Sequence, residues 1–107
     1  MNSEILFRLE QTLIARKSAP PGSSYVASLY AKGIDAVLKK VGEEATEAIL
    51  AAKGGDGQQL TNEAADLIFH TLVMLAARDV PLSSVFAELE RREGLSGIDE
   101  KNSRNKE

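Results

Sequence analysis

Residues 60–77 read LTNEAADLIFHTLVMLAA, and the only formally charged side chains among them are Glu63 and Asp66. The run is long for a strand and rich in the strongest helix formers, so it reads as one helix. A helix this apolar around its circumference belongs in an interior. A carboxylate carried into an interior needs a counter-charge, because burying it unpaired is costly. Glu63 and Asp66 stand three residues apart and project from one side, and His70 lies one turn further along that side.

A second acidic group, Glu43-Glu44-Ala-Thr-Glu47, is separated from Glu63 by fifteen residues. With Glu43 at the origin of a helical wheel of about 100° per residue, Glu47 falls near 40° and Glu44 near 100°. The three share one face. Val37, Val41, Ala45, Ala48 and Ala52 cluster at about 120–200°, which is the core-facing side expected for this helix. Carboxylates at these spacings repel by a few tenths of a kcal/mol per pair, roughly, unless a cation lies between them. A solvated acidic face is the alternative; Leu50, beside Glu43 and Glu47 on the wheel, argues against it. A metal ion shared between the two acidic groups satisfies both helices. For Glu63 and Asp66 the alternative is a narrow exposed stripe on an otherwise buried helix.

The rest of the chain is organised around these two segments. Ser3 caps a first helix with Ile5, Leu6, Leu9 and Leu13 on one side, fading by Lys17. Residues 18–24, SAPPGSS, form a loop. Helix then runs over residues 25–53, with Gly33 as a kink or break between a short piece and a long one. Gly54-Gly55-Asp56-Gly57 ends it, and Asp56 caps the next helix over 58–78. Asp79 to Pro81 make a turn, and a last helix spans 82–92. Residues 1–95 thus read as a single all-α domain, a helical bundle with two long helices at its centre. Residues 96–107 read as a polar C-terminal tail without a periodic apolar face.

Composition agrees. Of 107 residues, 43% are apolar but only 5% aromatic, with 14 Ala and 13 Leu, which favours helices over a β-sandwich. The length suits one domain. The absence of cysteine excludes disulfide scaffolds, thiolate metal sites and cysteine nucleophiles. No apolar run is long enough for a membrane span and the N-terminus lacks signal-peptide order, so a cytoplasmic location is expected. The net charge of −3 disfavours duplex nucleic acid as a partner.

An oxygen-only donor set points to Mg²⁺, with Mn²⁺ as an alternative. A di-iron bundle needs Glu-x-x-His motifs on two helices; the one histidine, His70, has Leu67 three residues before it. His70 reads as a hydrogen-bonded core histidine or a residue supporting a ligand. Mg²⁺ fills out its shell with water and substrate phosphate oxygens and can neutralise charge on a departing pyrophosphate. Phosphates also need cations. Lys32, Lys39 and Lys40 precede the first acidic group, and Arg91, Arg92, Lys101 and Arg104 come late, though for each a plain solubilising role is the alternative.

Glu43-Glu44-Ala-Thr-Glu47 followed by Glu63-Ala-Ala-Asp66 resembles the E-E-x-x-E … E-x-x-D signature of the MazG-like all-α nucleotide pyrophosphatases. Ser24-Tyr25, Lys32-Gly33, Leu38-Lys-Lys-Val-Gly-Glu43, His70, Leu89-Glu-Arg-Arg92, Ser96-Gly97, Glu100-Lys101 and Ser103-Arg104 narrow the likeness. Together they resemble the phosphoribosyl-ATP pyrophosphatase family of histidine biosynthesis, from about Glu4 to Arg104. The resemblance implies Mg²⁺-dependent hydrolysis of phosphoribosyl-ATP between its α and β phosphates, giving phosphoribosyl-AMP and pyrophosphate. It implies Glu44, Glu47, Glu63 and Asp66 as metal ligands. Glu43 becomes an added ligand or a water-orienting base, and Lys32, Lys39, Lys40 and Arg104 become phosphate contacts. It further implies a homo-oligomer, dimer or tetramer, in keeping with a long apolar helix that short neighbours cannot cover. Lacking cysteine, the chain is expected to be the pyrophosphatase alone rather than a fusion with a zinc-dependent cyclohydrolase. Two other readings remain: a MazG-like hydrolase of ordinary or damaged nucleoside triphosphates, and a non-enzymatic helical dimer with structural carboxylates.

Overall fold

The computed structural model describes residues 4–95, 97 and 101. Among the described residues there is no strand. Over residues 4–95 the helices follow in the order α1 (Glu4–Arg16), α2 (Tyr25–Lys32), α3 (Ile34–Gly54), α4 (Gly57–Ala77) and α5 (Leu82–Arg92), with a 3-10 turn at Pro21–Ser23. The expected helix over 25–53 is two helices. Gly33 separates them at φ 99°, a conformation that a side chain disfavours, and its N–H bonds back to the Tyr30 carbonyl to close α2.

Local chemistry sets the other boundaries. The Ser24 hydroxyl accepts from the Ala27 N–H at 3.0 Å and starts α2. Asp56 caps α4 as expected, its Oδ1 accepting from the Gln58 and Gln59 amides at 3.0 and 3.2 Å. Pro81 offers α5 no side-chain cap. That duty falls to Glu10, whose Oε2 accepts from the Leu82 N–H at 2.7 Å across 72 residues of chain.

The long pair α3–α4 is the spine, joined by Gly55-Asp56 and therefore antiparallel. Val37, Glu44 and Ala51 are the buried residues of α3. They recur every seven positions, with Val41 and Ala48 half-buried between them, which is the seam of two packed antiparallel helices. Ala52, expected on the core side, is exposed. The seam follows the heptad to Ala51 instead, one residue round the helix. Glu44 takes a place in that seam where an apolar residue would ordinarily sit.

The core lies at one end of this spine. Leu13 of α1, Val26 and Leu29 of α2, Val37 of α3, Leu72, Val73 and Ala76 of α4 and Leu82 of α5 form one buried cluster. Tyr30 donates its hydroxyl to the Leu13 carbonyl at 3.0 Å, and Phe7 meets Phe86 edge-on at 5.2 Å. Lys17 ties α1 to the end of α4, with Nζ 2.7 Å from the Ala76 carbonyl and 2.6 Å from Asp79. The expectation of burial all along residues 60–77 fails in its first half. Leu60 is 37% exposed and Ile68 50%, because α1 and α2 cover only the later turns.

Candidate metal centre

Glu44 enters from α3 and Glu63 and Asp66 from α4, and one carboxylate oxygen of each lies within 4.8 Å of the others. The antiparallel register that packs Val37 against the last turns of α4 brings position 44 opposite its middle turns. Burial falls across the group: Glu44 is buried, Glu63 half-buried and Asp66 exposed. The cluster therefore opens outward from the seam on the Asp66 side.

Charge at the site is unbalanced. Lys40, one turn before Glu44, holds its Nζ 3.3 Å from Glu44 Oε1 and 3.5 Å from Glu43 Oε2. Hydrogen bonding to Glu44 raises the Lys40 ammonium above the usual lysine range, against an opposing push from burial. That leaves the inner oxygens without a donor. Glu44 Oε2 and Glu63 Oε2 are both buried and have no hydrogen-bond partner among the described residues. A buried acceptor left unsatisfied costs about 1–3 kcal/mol, more when charged. Two such oxygens, on two of the three converging carboxylates, fit a hard divalent cation, which takes oxygen ligands only.

The remaining candidates lie apart from this group. Glu47 is exposed and is not one of the three converging carboxylates. Glu43, also exposed, has Lys40 as its ion-pair partner. The wheel put the three on one face; the structure separates them, burying Glu44 in the seam and leaving Glu43 and Glu47 exposed. Lys32 and Lys39 are exposed, and Lys32 sits at the last position of α2. Arg104 lies outside the described residues.

His70 is buried, as a core histidine should be. Its Nδ1 is 2.8 Å from the Asp66 carbonyl oxygen and its Nε2 2.8 Å from the Tyr25 hydroxyl. Tyr25 is a neighbour of the site that spacing alone did not single out, because α2 meets α4 only through the tertiary fold. Burial pushes its phenol above the usual tyrosine range; Lys40 opposes that and Glu44, Glu43 and Asp66 add to it. An apolar groove of about 390 Å³, lined by Leu6, Leu9, Ala65, Asp66, Ile68 and Phe69, opens beside Asp66 between α1 and α4.

The model of the family described as phosphoribosyl-ATP pyrophosphohydrolase matches residues 6–93, which takes in both acidic groups. The chain belongs to this family. Among its relatives, the phosphoribosyl-ATP pyrophosphatase of Dinoroseobacter shibae is 61% identical over 100 residues, covering 94% of this chain and 98% of that one. The protein of the same name from Trichlorobacter lovleyi is 56% identical over 103 residues, 96% of this chain and 95% of its own. That of Geotalea daltonii is 50% identical over 106 residues, 99% of this chain and all of its own. The all-helical architecture agrees with the family expected from the acidic signature.

Proposed function

We propose that this chain hydrolyses phosphoribosyl-ATP to phosphoribosyl-AMP and pyrophosphate, with Mg²⁺ held by Glu44, Glu63 and Asp66. Family membership supports the reaction. The observation that supports the metal is the pair of partnerless buried oxygens on Glu44 and Glu63. A divalent cation there supplies Lewis-acid stabilisation of the charge that builds on the departing pyrophosphate.

The chain's own residues divide the remaining work. Water adds to phosphorus as the anhydride bond between the α and β phosphates breaks, so a proton must leave that water. Glu43, exposed and next to Glu44 in the chain, orients the water or accepts its proton in this reading. Glu47, one turn beyond Glu44, is a fourth ligand when its side chain turns inward. Lys40, already paired with Glu44 and Glu43, is the phosphate contact nearest the cluster. Lys32, Lys39 and Arg104 extend the phosphate-binding set.

Association completes the structure. Ile49 and Leu50 of α3, at 68% and 64% exposure, and Leu60 and Ile68 of α4 are large apolar side chains left exposed. A second copy of this chain laid on that surface gives a homo-oligomer, at least a dimer. No helix among the described residues is long and apolar enough to cross a membrane, which accords with a cytoplasmic enzyme.

The test is pyrophosphate release from phosphoribosyl-ATP and from a panel of nucleoside triphosphates, with Mg²⁺ and with a chelator. Turnover of phosphoribosyl-ATP that stops on chelation is the expected result. Turnover of deoxynucleoside triphosphates without phosphoribosyl-ATP would instead favour the broader MazG-like activity.

A further inference from the structure

Two cavities adjoin beside the carboxylate cluster. The first, of about 390 Å³, lies between α1 and α4 and has Asp66 in its wall. The second, of about 250 Å³, runs on toward the start of α2 and has Arg16 in its wall. Leu9 and Phe69 line both, so the two make one groove with an apolar middle. On α1 the lining follows a single stripe, Leu6, Leu9, Leu13 and Arg16, and ten residues of helix cover about 15 Å.

Opposite charges mark the two ends. Asp66 is one of the three converging carboxylates. Arg16, in the last turn of α1, is half-buried, and its guanidinium has no hydrogen-bond or ion-pair partner among the described residues. Lys17, the next residue, is by contrast committed to Asp79 and the Ala76 carbonyl. A guanidinium offers five donors in a planar fork that matches phosphate oxygens. Phosphoribosyl-ATP has a corresponding layout: a triphosphate on one side of a purine and, unlike ATP, a second ribose 5-phosphate on the other. We propose that the groove takes this substrate lengthwise and that Arg16 binds the second ribose 5-phosphate. The triphosphate then lies at the cation beside Asp66 and the purine over Leu9 and Phe69. Arg16 is thus the residue that selects phosphoribosyl-ATP over ordinary nucleoside triphosphates. This inference rests on the hydrolytic reading above and adds a specificity determinant to it.

Product binding separates the two claims. Calorimetry on the full chain with Mg²⁺ compares phosphoribosyl-AMP with AMP, which lacks the second ribose 5-phosphate, and turnover of phosphoribosyl-ATP is followed alongside. If wild type releases no pyrophosphate from phosphoribosyl-ATP, the hydrolytic reading and this inference both fall. Where it does, wild type is expected to hold phosphoribosyl-AMP more tightly than AMP; equal affinity overturns the proposal alone. Arg16→Gln should bind phosphoribosyl-AMP about ten- to a hundredfold more weakly, the scale of a lost hydrogen bond to a charged group, while AMP is held as in wild type. Its KM for phosphoribosyl-ATP should rise by a similar factor. Arg16→Lys keeps the charge but not the fork and should recover part of the loss. A purely structural role for Arg16 weakens both nucleotides alike or neither, and either result overturns the proposal while the hydrolytic reading stands. Altered sedimentation of Arg16→Gln without the selective loss makes the groove an interface between copies of the chain, which overturns it as well.

Discussion

At the Gly33 end of the α3–α4 spine, Val37 and Val73 are almost wholly enclosed beneath α1 and α2, while at the Asp56 end Ile49 and Leu50 stand two-thirds exposed. The two ends belong to the same pair of helices and share one heptad seam. They differ in cover. The short helices of one chain bury half of its spine, and the other half stays uncovered, the half proposed above to associate. Glu44, Glu63 and Asp66 sit between the two, where a carboxylate can be buried on one side and reached from the other. The proposed chemistry, the folding core and the proposed assembly surface therefore fall on separable stretches of two helices.

Substitution at the junction is expected to have the largest effect and to spare both ends. In the reading proposed above, Glu44→Gln or Asp66→Asn removes a ligand of the cation that acts on transition-state charge. Losing several kcal/mol of such stabilisation lowers pyrophosphate release on the order of a thousandfold. The metal-free melting temperature of Glu44→Gln should stay close to wild type, because relief of the repulsion at its unpartnered buried oxygen offsets the loss of the Lys40 ion pair. A variant that loses activity by melting early would erase the distinction between junction and core.

Next in size is the contrast between the ends themselves. Val73→Ala empties a fully enclosed site and should cost about 2 kcal/mol in denaturant unfolding, at any protein concentration. Ile49→Asp with Leu50→Asp should instead change the oligomeric state seen by sedimentation, abolishing the dependence of melting temperature on protein concentration. If the double Asp variant sediments like wild type, the exposed end is not the surface that associates.

The smallest effect is expected at α5, away from the spine. Arg91 and Arg92 hold the Glu88 carboxyl down at about 2 against an ordinary 4.5. A lowered folded-state value gives stability that is present above the ordinary value and lost as pH falls toward 2. The group is exposed, so screening keeps the contribution small. Glu88→Gln should melt slightly below wild type near neutral pH, and the difference should vanish on acidification to about 2.

Much of this was legible in the sequence because it is written in local chemistry. Gly33, Asp56 and the paired prolines mark boundaries through backbone conformation and capping, which neighbours along the chain decide. The two acidic groups were legible through spacing, since residues three and four apart share a helix face. What spacing cannot supply is rotation to within one residue: Glu44 is drawn into the seam and Glu47 is not, and Ala51 rather than Ala52 faces α4. Nor can it supply cover. Residues 60–77 are apolar throughout, yet Leu60 and Ile68 face outward, a pattern that a lone chain's sequence cannot tell from burial in its own core. The Tyr25–His70 bond spans 45 residues and depends on how α2 is laid over α4, so no window along the chain contains it.

The location of the cation is the point on which the rest depends. Crystals grown with Mn²⁺ and measured at an energy where manganese scatters anomalously would locate it directly. The expected result is a peak between α3 and α4, within about 2–2.5 Å of oxygens from Glu44, Glu63 and Asp66. Strong peaks only elsewhere, with Glu44 and Glu63 still facing each other, would contradict it.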